Sequence, residues 1–312
     1  MRHTTSAALL IGTVAMLTLP AAMAAERLQV VTSFSILADM ARNVGGEQVE
    51  VRSLVGPDSD AHMFSASPRD ARALADADLV VFNGLQFEGW MERLIESSEY
   101  SGTLVIATDG IEKRGYHDHD HEHAHDDHDH GEYDPHAWQD LTLSRVYVDN
   151  IRNGLIAADP ANESVYRANA GRYINELDIV HAELSELLAE IPASTSVITG
   201  HASFGYFADA YGMHFLSPMG LSTEAEPSAA DMARLVDVIR ERNVRALFHE
   251  NMTSPAVINQ LAEETGLPVA GTLYADALAA EGEASTYIGM LRHNARVLHA
   301  ALAEPGHDDH DH

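Results

Sequence analysis

The chain has 312 residues, 46% of them hydrophobic, no cysteine, and a formal charge of −29. That length and apolar content suit two folded domains of ordinary size and exclude a disordered chain. The missing cysteine excludes disulfides and lipid attachment at a cysteine, and the acidic balance excludes nucleic acid and anionic lipid as partners while favouring cations.

Residues 1–24 read as a signal peptide. Met1 and Arg2 give a positive start, Ala7 to Leu19 an apolar run, and Ala22-Met23-Ala24 a small-residue cleavage pattern. The run is shorter than the roughly 18 to 20 apolar residues that span a bilayer. Cleavage after Ala24 would release a soluble periplasmic protein.

From Leu28 onward, short β-branched runs alternate with helical patterns. Strands are expected at 28–33, 49–55, 78–84 and 103–110, with helices at 35–44, 68–76, 88–97 and, further on, 141–157. This rhythm predicts a parallel sheet flanked by helices, an N-terminal α/β lobe over 25–158. A loop at 115–132 interrupts it with "HDHDHEHAHDDHDH" (117–130). Residues 159–192 predict one long helix. Asp159 caps it, Pro160 fills its first position and Pro192 ends it, and an apolar stripe runs through Tyr166, Ala170, Tyr173, Leu177, Val180, Leu184, Leu187 and Ile191. It serves as a spine in a monomer; a coiled-coil dimer is the competing use of the same stripe. The strand–helix rhythm then repeats over a C-terminal α/β lobe (193–304), with strands at 195–200, 213–217, 244–250 and 268–274 and helices at 203–211, 228–242, 254–265 and 284–303. A His/Asp tail closes the chain at 305–312. The fold class is therefore α/β: two similar lobes, each a parallel sheet flanked by helices, joined by one spine helix.

Three histidines outside the run and tail stand at junctions where open α/β sheets place ligands. His62 lies in "GPDSDAHMFSASPRD" after a strand, His136 in "YDPHAWQD" ahead of a helix, and His201 in "ITGHASFGYF" after a strand. His249 precedes Glu250 at a strand end. His181, His293 and His299 fall in helices and His214 in a strand, where packing or solvated roles are expected. Asp276 follows a strand, a position where an aspartate more often caps a helix.

Six stretches together resemble one family: "VVTSFSILADMARNVGG", "LVGPDSDAHMFSASPRD", "VFNGLQFEGWMERL", "YDPHAWQD", "TGHASFGYFADAYG" and "GTLYADAL". They are similar, in order, to the zinc-specific solute-binding proteins of ABC importers, the cluster A-I receptors of the ZnuA and AztC kind. The resemblance covers essentially the whole chain beyond residue 24. It implies that His62, His136, His201 and Asp276 bind Zn2+ in a cleft between the lobes, for delivery to an ABC permease and its ATPase, with a periplasmic zinc metallochaperone as a further partner. It also implies a small hinge motion. One departure is Asp60-Ala61-His62, where the family usually has Asp-Pro-His; the missing proline predicts a looser loop.

Three imidazoles and one carboxylate suit zinc. Manganese receptors of the family have Glu where His201 stands, and oxygen ligands suit that harder ion. A zinc hydrolase using His62, His136 and His201 with Glu250 as base is the alternative, and Glu250 beside the ligands as their support is the plainer role. No catalytic signature accompanies them, so no enzyme is expected. A zinc buffer uncoupled from a permease would use the same residues. In the run, His117, His119, His121, His123, His125, His128 and His130 alternate with acids. Their chain is not preorganised, so they predict weaker accessory binding, as scavenger or sensor.

Overall fold

The computed structural model describes residues 26–116 and 133–303. The expected signal peptide, the histidines of the run at 117–130 and the tail at 305–312 lie outside the described residues.

The N-terminal sheet contains β1 (Leu28–Thr32), β2 (Val49–Ser53), β3 (Leu79–Phe82) and β4 (Thr103–Ile106), in the order β2-β1-β3-β4. Every pairing is parallel. The C-terminal sheet repeats that order with β5 (Ser196–Ile198), β6 (His214–Leu216), β7 (Val244–Glu250) and β8 (Val269–Leu273), as β6-β5-β7-β8, again all parallel. In each lobe the chain leaves the first strand to one side and returns on the other. Such a reversal opens a crevice at the carboxyl ends of the strands.

The helices are α1 (Ser35–Gly45), α2 (Pro68–Ala75), α3 (Met91–Ser98), α4 (Leu141–Ala158), α5 (Glu163–Leu188), α6 (Gly205–Tyr211), α7 (Ala229–Glu241), α8 (Ala256–Thr265) and α9 (Tyr287–Leu302). Their starts are chemically marked. Ser67 and Asp70 form a capping box at α2, with Pro68 at the first position, and Ser228 and Asp231 form another at α7. Asp140 accepts from Thr142 N at α4 and Thr286 accepts from Gly289 N at α9. Gly212 and Gly266 end α6 and α8 in the left-handed conformation that a residue without Cβ adopts freely.

The expected helix over 159–192 is shorter at both ends. A 3-10 turn occupies Pro160–Asn162, because the Asp159 carboxylate draws in Asn162 Nδ2 (2.7 Å) and Tyr166 OH (2.6 Å) and tightens the first turn. After Leu188 the chain turns toward Pro192, whose ring disfavours helical backbone at Ile191. The remaining 26 residues span about 39 Å. The buried stripe includes Leu188 where Leu187 was expected, and Leu187 is only partly covered. This stripe packs within the chain, on α1, α4 and α9.

The main core runs through both lobes, from Phe34, Phe87 and Trp138 to Leu278 and Tyr287, and a smaller core of Ile198, Leu235, Leu247, Ile258 and Leu261 fills the far side of the second sheet. Buried hydrogen bonds cross between lobes. Trp138 Nε1 and Gln139 Nε2 both donate to Ala275 O at 2.9 Å, and Leu278 N donates to Ser35 Oγ at 3.0 Å. Among the described residues, no helix is long and apolar enough to cross a membrane.

Candidate metal centre

His62 sits in the loop after β2. The Asp60 carboxylate accepts from His62 N (2.9 Å) and Met63 N (3.3 Å), and Trp90 Nε1 donates to Ala61 O (2.8 Å). The His62 ring rests edge-on against Phe87, with centroids 4.6 Å apart. These bonds give the loop definition that the missing proline does not supply.

His136 precedes a 3-10 turn, Ala137–Gln139, that leads into α4. Its backbone N donates to Asp134 Oδ1 (3.0 Å), and its Nδ1 lies 2.8 Å from the same oxygen. Asp134 is fully buried, and its other oxygen faces Arg114 Nη1 at 3.4 Å. Arg114 and Asp134 belong to a short stem: Gly115 and Tyr133 form an antiparallel bridge, and Asp134 N donates to Arg114 O (2.9 Å).

His201 follows β5 with Glu250, the last residue of β7, behind it. Glu250 Oε2 lies 2.6 Å from His201 Nδ1, and Oε1 accepts from His201 N at 3.2 Å. A Cβ at Gly200 would stand 3.0 Å from Glu250 Oε2, so the approach is tightest with glycine there. Asp276 follows β8. Its neighbour Ala275 is held by Trp138 and Gln139, and Tyr274 by two bonds to the Asn294 side chain on α9.

Four elements thus deliver three imidazoles and one carboxylate to one point, with one ligand atom from each residue within 4.8 Å of all the others. His62 is 7% exposed and the other three not at all. Asp276 Oδ2 lies 3.0 Å from His201 Nε2 and 3.2 Å from His62 Nε2, and Asp276 Oδ1 lies 3.7 Å from His136 Nε2. Despite this crowding, His62 Nε2, His136 Nε2 and Asp276 Oδ1 are buried without an aligned hydrogen-bond partner. Buried polar atoms are normally satisfied, so three orphans aimed at one centre fit a set of donors for a cation. The carboxylates at Nδ1 of His136 and His201 fix those protons there and turn Nε2 inward.

The electrostatics agree. Burial pulls the His201 imidazole down, but the Glu250 and Asp276 carboxylates overcome it and hold the ring well above its ordinary value. Burial likewise pushes Asp276 up, yet His201 and His136 bring it well below the usual carboxylate range. Without a cation, a proton on His201 holds the carboxylates together. A divalent ion would displace it.

The expected residues His62, His136, His201 and Asp276 meet, and Glu250 lies beside them as a support for His201. Among the described residues the other histidines lie apart: His181 faces Tyr211 OH, His249 pairs with Asn259, His293 with Thr272 O and His299 with Glu190. His214 is exposed at the edge strand β6. Sequence reasoning missed Asp134, although an acid two residues ahead of a histidine, with proline between, was a visible signal. It also missed Phe87, which nothing in the sequence distinguishes from other core aromatics.

Residues 30–301 match the profile of the family described as zinc-uptake complex component A, periplasmic. The chain belongs to this family. It is 33% identical over 287 residues to the manganese-binding lipoprotein MntA of Bacillus subtilis (strain 168), covering 89% of this chain and 90% of that one. It is 28% identical over 299 residues to the manganese ABC transporter substrate-binding lipoprotein PsaA of Streptococcus anginosus, covering 91% and 92%. Among solved structures it is similar to the periplasmic zinc binding protein TroA from Treponema pallidum, with TM-score 0.81, 28% identity, and coverage of 89% of this chain and 100% of that one. The two-lobed fold is the same. These are solute-binding proteins, so the chain is a metal-binding receptor of the ABC-importer kind and the hydrolase reading falls away.

Proposed function

We propose that this protein captures Zn2+ in the periplasm through His62, His136, His201 and Asp276 and delivers it to an ABC permease driven by its ATPase. The observation that carries this reading is the meeting of three imidazole nitrogens and one carboxylate at a single buried point, where His62 Nε2, His136 Nε2 and Asp276 Oδ1 have no aligned hydrogen-bond partner. Three nitrogens and one carboxylate favour zinc over a harder ion such as manganese. The relatives named for manganese make Mn2+ the competing cargo.

Metal stoichiometry and Zn2+/Mn2+ competition test the reading, measured in the wild type, in a deletion of residues 117–130 and in His201→Ala. One tight site that prefers zinc is expected in the wild type. It should survive the deletion, with less total zinc bound, and vanish in His201→Ala. A tight site lost with the deletion, or kept in His201→Ala, would refute the assignment, and preference for manganese would refute the cargo.

A further inference from the structure

One exposed residue fastens the His62 loop to the opposite lobe at three points. Asp58 N donates to Leu278 O (2.9 Å), Asp58 Oδ1 accepts from Asn251 Nδ2 (2.9 Å), and Asp58 Oδ2 accepts from Ala280 N (3.0 Å). Leu278 and Ala280 follow Asp276 closely in the chain, and Asn251 follows Glu250, the carboxylate behind His201. Asp58 therefore joins the segment carrying His62 to the segment carrying Asp276 and to the one that orients His201. Two residues on, Asp60 Oδ2 accepts from Thr223 Oγ1 at 2.6 Å, a further tie across the lobes. Asp58 has φ 51°, a left-handed backbone that aspartate tolerates better than most residues and glycine adopts freely.

The centre's exposure is confined to His62, so the shortest way in or out for an ion passes that ring. The other crossings near the centre are buried: Trp138 and Gln139 on Ala275 O, and Leu278 N on Ser35 Oγ. The Asp58 bonds lie at the rim, within reach of water. On its own lobe the loop keeps the Trp90–Ala61 anchor. Breaking the Asp58 bonds would loosen the His62 side of the centre, with the Asp60–Thr223 bond still in place, and leave the rest assembled.

We propose that Asp58 is a positioning residue that latches the His62 loop over the metal and sets how fast the cargo enters and leaves. This rests on the four-residue centre proposed above. Asp58 is not one of the four residues of the centre, so its loss should speed both entry and release, and the dissociation constant should move less than either rate. A residue that only shaped ligand geometry would speed release and weaken affinity equally, with entry unchanged.

The test is stopped-flow Zn2+ entry, and release to excess chelator, in the full chain. Asp58→Gly removes the carboxylate while suiting the left-handed backbone. Loss of its two side-chain hydrogen bonds should accelerate release about tenfold, with faster entry. Asn251→Ala removes one of those bonds from the other side, and with it the Asn251 Nδ2 bond to Ala277 O (3.2 Å) within its own lobe. It should act in the same direction, more weakly, and add little in the Asp58→Gly background. Wild-type rates in both variants, or faster release with unchanged entry, would overturn the latch. His201→Ala, run alongside, separates the two readings, because a tight site persisting there counts against the centre and not against Asp58.

Discussion

The histidines of the centre are held in two ways. His136 and His201 each have a buried carboxylate at Nδ1, Asp134 and Glu250, and their segments are tied into the core. His62 instead leans on the Phe87 ring and is oriented through its backbone by Asp60, on a loop whose ties to the other lobe lie at the rim. A carboxylate fixes a tautomer, a ring angle and a charge, whereas an aromatic pad fixes only a surface to rest on. The centre therefore has a rigid side of His136, His201 and Asp276, and an adjustable side of one histidine.

Removing ligands tests that division most severely. His136→Ala or His201→Ala leaves buried carboxylates without their imidazole and should weaken zinc binding roughly a thousandfold or more. His62→Ala leaves three ligands and room for water, and should cost about a hundredfold. Competition against a chelator of known affinity measures both, and equal losses would erase the distinction. Asp134→Asn and Glu250→Gln keep shape but remove charge from the rigid side. Each should weaken zinc roughly 10- to 100-fold, the range found for groups that orient metal ligands, while Phe87→Leu on the other side should cost less.

The smallest effect on the metal is expected at Glu88, which supports the turn that presents Phe87. This buried carboxyl accepts from Ser33 Oγ (2.6 Å), Asn83 N (2.7 Å) and Gly84 N (3.2 Å). Burial nonetheless raises its pKa to about 7 from 4.5, outweighing these bonds. Between those values the folded chain keeps a proton that the unfolded chain has released, so stability falls as pH rises through the window, by about 3 kcal/mol in total. Urea unfolding of the metal-free protein at pH 5 and pH 8 should show that loss in the wild type and a smaller one in Glu88→Gln. An unchanged pH dependence would remove Glu88 from the account.

Much of this architecture was legible because its signals are local. The β-branched runs give all eight strands of the described residues, and the helical patterns place the helix starts to within a few residues. Boundaries slipped where a distant or side-chain partner intervened, as with Asp159 and Tyr166 at the head of α5. His62, His136 and His201 stood out by their place after strands or before helices. Asp276 came only through resemblance, because a lone aspartate after a strand carries no mark until the fold brings three imidazoles to it. Asp58 was invisible for the same reason: its partners Asn251, Leu278 and Ala280 belong to the other lobe.

The bridge between Gly115 and Tyr133 gives the chain a socket. Whatever sequence runs between these residues departs and returns at one closed point, and the entropy of closing such a segment grows only with the logarithm of its length. A change in the length of that segment should therefore cost the fold little, while its base stays next to Asp134, the aspartate that orients His136. Evolution, or an engineer building a fluorescent zinc sensor, can rewrite that insert without rebuilding the receptor.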